Sequence, residues 1–119
     1  EMLNLLDLKD KVVSHLTISD RRLVEIARAL ASEPGLALLD EPLAGLNPTE
    51  THTIMELIVD IRETHGVSIL WVEHKIDAVF SICDRIVVLD YGKMLAQGKT
   101  ADIAADPKVV EAYLGEFPA

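Results

Sequence analysis

The stretch Leu36-Ala-Leu-Leu-Asp-Glu41 decides how the rest of the chain is read. Four apolar residues run into two adjacent carboxylates, and Pro34-Gly35 breaks the chain just before them. A short apolar run bounded by breakers predicts a strand buried on both faces, as in a parallel sheet. An ionised carboxylate is costly to bury, so the Asp-Glu end needs a cation or a place on the rim of the sheet. In open α/β sheets ligands bind at that rim, at the C-terminal strand ends. There an Asp can hold a nucleotide's Mg²⁺ and a neighbouring Glu can orient a water. The competing interpretation is a buried strand that ends in two solvated acids. On the hexapeptide alone the two weigh the same, and the flanks decide between them.

On the N-terminal side, residues 1–15 read as a short helical stretch carrying Leu3, Leu5, Leu6 and Leu8, then a polar connection. Thr17 and Asp20 have the spacing of a capping box, with Asp in place of the usual Glu or Gln. The helix that follows sets Leu23, Ile26, Ala27 and Leu30 on one face, with Arg21, Arg22, Glu25 and Arg28 largely off it. On the C-terminal side, Pro42 to Pro48 is a rigid loop. Asn47 is a good helix cap, Pro48 suits the first helical position and Glu50 sits three residues after the cap. That helix runs to about His65 with Ile54, Leu57, Ile58 and Ile61 inward, and Gly66 ends it.

Val67-Ser-Ile-Leu-Trp-Val72 is a second strand of the buried type, ending in Glu73-His74. Lys75 to Ile82 reads as a short helix with Ile76, Val79 and Phe80 inward. Arg85 to Asp90 is a third strand. Tyr91-Gly92 turns it into Lys93 to Gln97, an antiparallel hairpin partner. Thr100 or Asp102 caps a final helical region that Pro107 divides. Trp71 and Cys83 read as core residues. Alternation of strands and helices means an α/β fold with a largely parallel core, and the chain has neither an internal repeat nor a low-complexity linker.

Composition sets outer bounds. The 119 residues are half hydrophobic and about a quarter charged, the composition of one ordinary globular domain. The net charge of −9 argues against nonspecific nucleic-acid binding or attraction to anionic lipid. The single cysteine allows neither a disulfide framework nor a cysteine-based zinc site, which makes a reducing, cytoplasmic compartment the expectation. No apolar run approaches a membrane span, and the first residues do not have the form of a signal peptide. Glu1 in place of Met points to a longer parent protein.

With these flanks the chain resembles the ATPase subunit of an ATP-binding-cassette (ABC) transporter, from about Leu16 to the C-terminus. Four features carry the resemblance, in the family's order. Leu23-Val-Glu-Ile-Ala-Arg-Ala-Leu30 looks like the helix after the signature motif. Leu36 to Glu41 with Pro42 looks like Walker B, Ala44-Gly-Leu-Asn47 like the D-loop, and His74 like the switch histidine. The Ala-Gly-Leu-Asn-Pro loop and the ending Asp106-Pro-Lys-Val-Val-Glu-Ala-Tyr-Leu-Gly115 look most like the branched-chain amino acid importer group.

The resemblance implies one partial domain over residues 1–119, the C-terminal part of a P-loop NTPase (RecA-like) core with a largely parallel sheet, a C-terminal β-hairpin and helices. It implies ATP and Mg²⁺ as cofactors of the parent. Asp40 would hold Mg²⁺ through coordinated water, Glu41 would polarise the attacking water, and His74 would contact Glu41 and the γ-phosphate. Asn47 would carry the nucleotide state across a dimer interface. The implied partners are a second ATPase subunit and transmembrane permease subunits, with no nucleic acid. The implied location is the cytoplasmic face of the cell membrane, reached through the permease.

Two departures qualify this. The family's Walker A loop, glutamine-bearing loop and base-stacking aromatic lie well upstream of Walker B, and only 35 residues precede Leu36 here. Gly98-Lys99-Thr100 imitates the end of a Walker A motif, but the first glycine would fall at Lys93, and the segment reads as a hairpin end and helix start. The signature Leu-Ser-Gly-Gly-Gln aligns with Leu16-Thr-Ile-Ser-Asp20. Thr17 keeps the hydroxyl, Ser19 adds a Cβ where close approach favours glycine, and Asp20 puts negative charge at a helix start that should receive phosphate. The parent is expected to be an ATPase driving solute import, and the chain alone is expected to be inactive and to pair with another copy through its uncovered edge. The alternative is a nonenzymatic assembly module on a degenerate ABC ATPase fold.

Overall fold

The computed structural model describes residue 3 and residues 5–114. The chain divides into two compact units, Glu1–Lys75 and Ile76–Ala119, each with its own strand pair.

In the first unit the opening residues form two single 3₁₀ turns, Leu6–Leu8 and Val13–His15, in place of the expected helical stretch. Leu6, Val12 and Val13 are exposed, so no packed face supports a longer helix there. Helix α1 spans Ile18–Leu30 with Thr17 as its cap, the hydroxyl oxygen accepting from the Asp20 N–H at 3.1 Å. Only this half of the expected capping box forms among the described contacts. Asp20 is one methylene shorter than the Glu that normally reaches back. Ile26 is the buried centre of the helix's inner face.

Strand β1 (Leu36–Asp40) pairs in parallel with β2 (Ser68–Val72), with Leu38 opposite Leu70 and Asp40 opposite Val72. Helix α2 (Pro48–His65) crosses between them and buries Ile54, Ile58 and Ile61. Its two ends are fixed by local chemistry. Asn47 and Glu50 form a complete capping box, and Gly66 closes the helix with a left-handed φ of +65°. The expectation that both strands are buried on both faces does not hold. Burial alternates along them: Ala37 and Leu39 are covered, whereas Leu38 is 65 % and Leu70 59 % exposed. Side chains on successive strand residues point to opposite faces, and among the described residues packing covers one face only. Trp71 is half-buried.

The second unit is a hairpin with helices. Helix α3 (Ile76–Ile82) begins one residue later than expected and precedes β3 (Arg85–Asp90), which pairs antiparallel with β4 (Lys93–Lys99) through the Tyr91-Gly92 turn. The turn uses positive φ at both central residues, the backbone twist that a tight hairpin needs. Helices α4 (Thr100–Ala105) and α5 (Pro107–Val109) follow, then a π-helical turn Val110–Leu114. Ile86, Ile103 and Val109 form the core, with Phe80 and Cys83 among the side chains packed on it. Neither Thr100 nor Asp102 caps α4. Lys99 holds the cap position without a side-chain bond, and the Thr100 hydroxyl donates to the Cys83 carbonyl. Asp106 instead caps α5, accepting from Lys108 N–H at 2.9 Å. Gly98-Lys99-Thr100 is a strand end running into a helix, as its sequence predicts. Gly115 lies outside the described residues.

Candidate functional site

Parallel pairing of β1 and β2 in register brings two loops to one edge of the sheet. Residues Glu41 and Glu73-His74 leave their strands side by side. The ladder continues one residue past β1, where Glu41 N–H donates to the Val72 carbonyl at 2.7 Å. Glu41 itself has φ +46°, in the left-handed region. A non-glycine residue there costs about 1–2 kcal/mol, and such strain concentrates at working sites. The turn sends the Glu41 carboxylate to the His74 ring, with Nδ1 3.2 Å from Glu41 Oε1. Both side chains are at least half exposed. With a carboxylate facing Nδ1, the geometry favours the tautomer that carries its proton there.

Asp40 is exposed, and among the described residues its carboxylate makes no hydrogen bond or ion pair. A lone hard-oxygen group on the rim suits Mg²⁺, which keeps most of its water shell and takes few protein ligands. No cluster of three ligating side chains occurs among the described residues. Phosphate cradling would need glycine-rich backbone, and Gly98-Lys99-Thr100 does not have that form.

The remaining expected site residues are engaged in helix caps and first turns. Thr17 caps α1, and Ser19 and Asp20 form its first turn, with the Asp20 N–H already accepted by Thr17. Asn47 Oδ1 accepts from Glu50 N–H at 2.8 Å and Asn47 N–H donates to Glu50 Oε2 at 3.2 Å, so its amide serves the α2 cap. His52 and His65 lie on α2 beside Glu56 and Asp60 at its exposed surface.

Three contributors were not legible as such in the sequence. Arg22, on α1, donates to the Ala44 carbonyl from Nε at 3.4 Å and Nη2 at 3.2 Å, tying the helix to the loop after β1. Glu73 is fully covered at its side chain and accepts from the N–H groups of Leu43, His74 and Lys75. Lys75 Nζ donates to the Leu43 carbonyl at 3.1 Å. A charged residue that bonds backbone in a distant loop leaves no periodic trace. The one signal available was an acid next to a histidine at a strand end.

Comparison with known proteins places the chain among relatives. A family profile for branched-chain amino acid ATP-binding cassette transporters matches residues 93–117. The high-affinity branched-chain amino acid transport ATP-binding protein LivG of Salmonella typhimurium is 43 % identical over 116 residues, covering 98 % of this chain and 46 % of LivG. BraF of Pseudomonas aeruginosa, which bears the same description, is 41 % identical over 116 residues with the same coverage. The chain thus spans about half the length of the curated relatives it matches. Among solved structures, the ADP conformation of MJ1267, an ATP-binding cassette of an ABC transporter, superposes with a TM-score of 0.83 at 34 % identity, over 97 % of this chain and 46 % of that one. A dimeric post-hydrolysis state of the ATP-binding cassette MJ0796 bound to ADP and Pi gives 0.69 at 27 % identity, over 83 % and 44 %. Among the described residues, no helix is long and apolar enough to cross a membrane. The chain corresponds to the C-terminal part of an ABC transporter ATP-binding subunit and is similar to those of branched-chain amino acid transporters.

Proposed function

We propose that this chain supplies the water-activating half of an ATPase site that powers branched-chain amino acid import. The observation that carries the proposal is the 3.2 Å contact between Glu41 and His74 at neighbouring ends of parallel strands. Glu41 accepts the proton of the attacking water. His74 holds that carboxylate through Nδ1–H, and Nε2–H donates to the terminal phosphate when the ring carries both protons. Asp40 would hold Mg²⁺ through the ion's waters, and the ion would supply positive charge against the phosphate oxygens. The loop Ala44–Asn47 faces a second ATPase subunit, and permease subunits hold the pair at the cytoplasmic side of the membrane. The relatives' names and the dimeric state of MJ0796 support these partners.

A second reading, the nonenzymatic assembly module, is favoured by one observation. The first turn of α1 carries Ser19 and Asp20 where the family has Gly and Gln, and an acidic group there repels phosphate. Steady-state ATP hydrolysis by the complete subunit carrying this segment separates the two. Glu41→Gln keeps the shape but cannot take a proton, so turnover should fall by about 10²–10⁴ with ATP binding retained. Turnover that is unchanged in that variant would leave the assembly module standing.

A further inference from the structure

Glu73 is enclosed where its neighbour is not: its side chain is 0 % exposed, against 66 % for His74. A carboxylate withdrawn from water needs hydrogen-bond donors to replace the water it loses. Glu73 finds them in two different loops. Oε1 accepts from His74 N–H at 2.9 Å and Lys75 N–H at 3.4 Å. Oε2 accepts from Leu43 N–H at 3.4 Å. Lys75 Nζ returns across the same gap to the Leu43 carbonyl at 3.1 Å. Both polar groups of Leu43 are thus held by residues that bracket His74, and Leu43 itself is fully buried. Leu43 lies two residues after Glu41, and the intervening Pro42 has a fixed φ, so pinning Leu43 limits the swing of Glu41.

We propose that Glu73 is a positioning residue for the Glu41–His74 pair, setting their separation by tying the turn that carries His74 to the loop that follows Glu41. The kinetic part of this rests on the ATPase function proposed above; the tie between the loops does not. The His74 Nδ1 atom has an acceptor on either side, Glu41 Oε1 at 3.2 Å and Glu73 Oε1 at 3.3 Å. The amides gripping Glu73 hold that acceptor still, so the ring has one fixed reference and one exposed partner, Glu41. Glu73, its side chain fully covered, acts through His74 and Leu43 and does not touch substrate.

Two measurements test it. Glu73→Gln keeps the length but offers one acceptor oxygen where the carboxylate offers two; Glu73→Ala offers none. In this 119-residue chain, amide hydrogen exchange at Leu43 and His74 should speed up at least about tenfold in Glu73→Gln and further in Glu73→Ala, while Ile54 and Ile58 of α2 keep their rates. In the complete subunit, Glu73→Gln should lower kcat for ATP by about 10–100-fold, the scale of losses when an outer supporting group is removed, with KM within about twofold. Should Glu73→Ala fail to fold, Glu73→Gln alone decides. Unchanged exchange at Leu43 and His74, acceleration spread evenly over all amides, or an unchanged kcat would each overturn the assignment. If the unmodified subunit hydrolyses no ATP, the proposed function fails and the exchange rates still judge the tie.

Discussion

Glu41 is the residue at which backbone and chemistry meet. Its left-handed φ and its N–H bond to Val72 turn the carboxylate off the strand and toward His74, whereas Asp40, one residue earlier, keeps strand geometry and stays unpaired among the described residues. Two adjacent acids therefore present themselves differently, one to a histidine and one to solvent. Asp40→Asn in the complete subunit should raise the Mg²⁺ concentration needed for half-maximal hydrolysis several-fold, by removing charge from the metal's outer shell. A Mg²⁺ titration of activity checks this, and an unaltered midpoint counts against the metal role. The acids and His74 could be read from the sequence because they end apolar strands. Glu73, Lys75 and Arg22 could not, because their partners are backbone groups in other loops, up to 32 residues away for Lys75 and Leu43.

At the scale of elements, the two ends of α2 were legible in the sequence, whereas the cap of α4 and the burial of the strands were not. Asn47, Pro48, Glu50 and Gly66 fix α2 through bonds and φ values within a few residues, so sequence alone locates both ends. Strand burial depends on what packs against each face. The run Leu36 to Leu39 is apolar on both faces but covered on one among the described residues. Asn47→Ala should cost about 1 kcal/mol of unfolding free energy by losing the cap. Gly66→Ala should cost about 1 kcal/mol purely through backbone strain, since nothing lies within 4 Å of a Cβ built there. Urea denaturation of this chain measures both. A loss near zero for Asn47→Ala would free its amide for the interface role that the family resemblance implies.

Across the whole chain, each unit leaves a row of apolar side chains uncovered: Leu36, Leu38, Leu70 and Val72 on the first sheet, and Val87, Leu89 and Met94 on the second. Exposed apolar faces of this kind seek cover. The chain is therefore expected to associate, and light scattering should report a mass above the 13.1 kDa of one copy. Replacing Leu38 and Leu70 with Glu and Lys should reduce that mass while costing less than about 1 kcal/mol, because surface positions tolerate change. A monomer at high concentration before substitution would contradict this. What the chain does as part of a complete subunit turns on whether the two strand ends work as one device. A double-mutant cycle on kcat for ATP hydrolysis, with Glu41→Gln, His74→Ala and the double variant in the complete subunit, tests this most directly. Residues that act as a unit are non-additive, so the double variant should be no slower than the slower single variant. Losses that multiply would mean that Glu41 and His74 act independently, and would contradict the account.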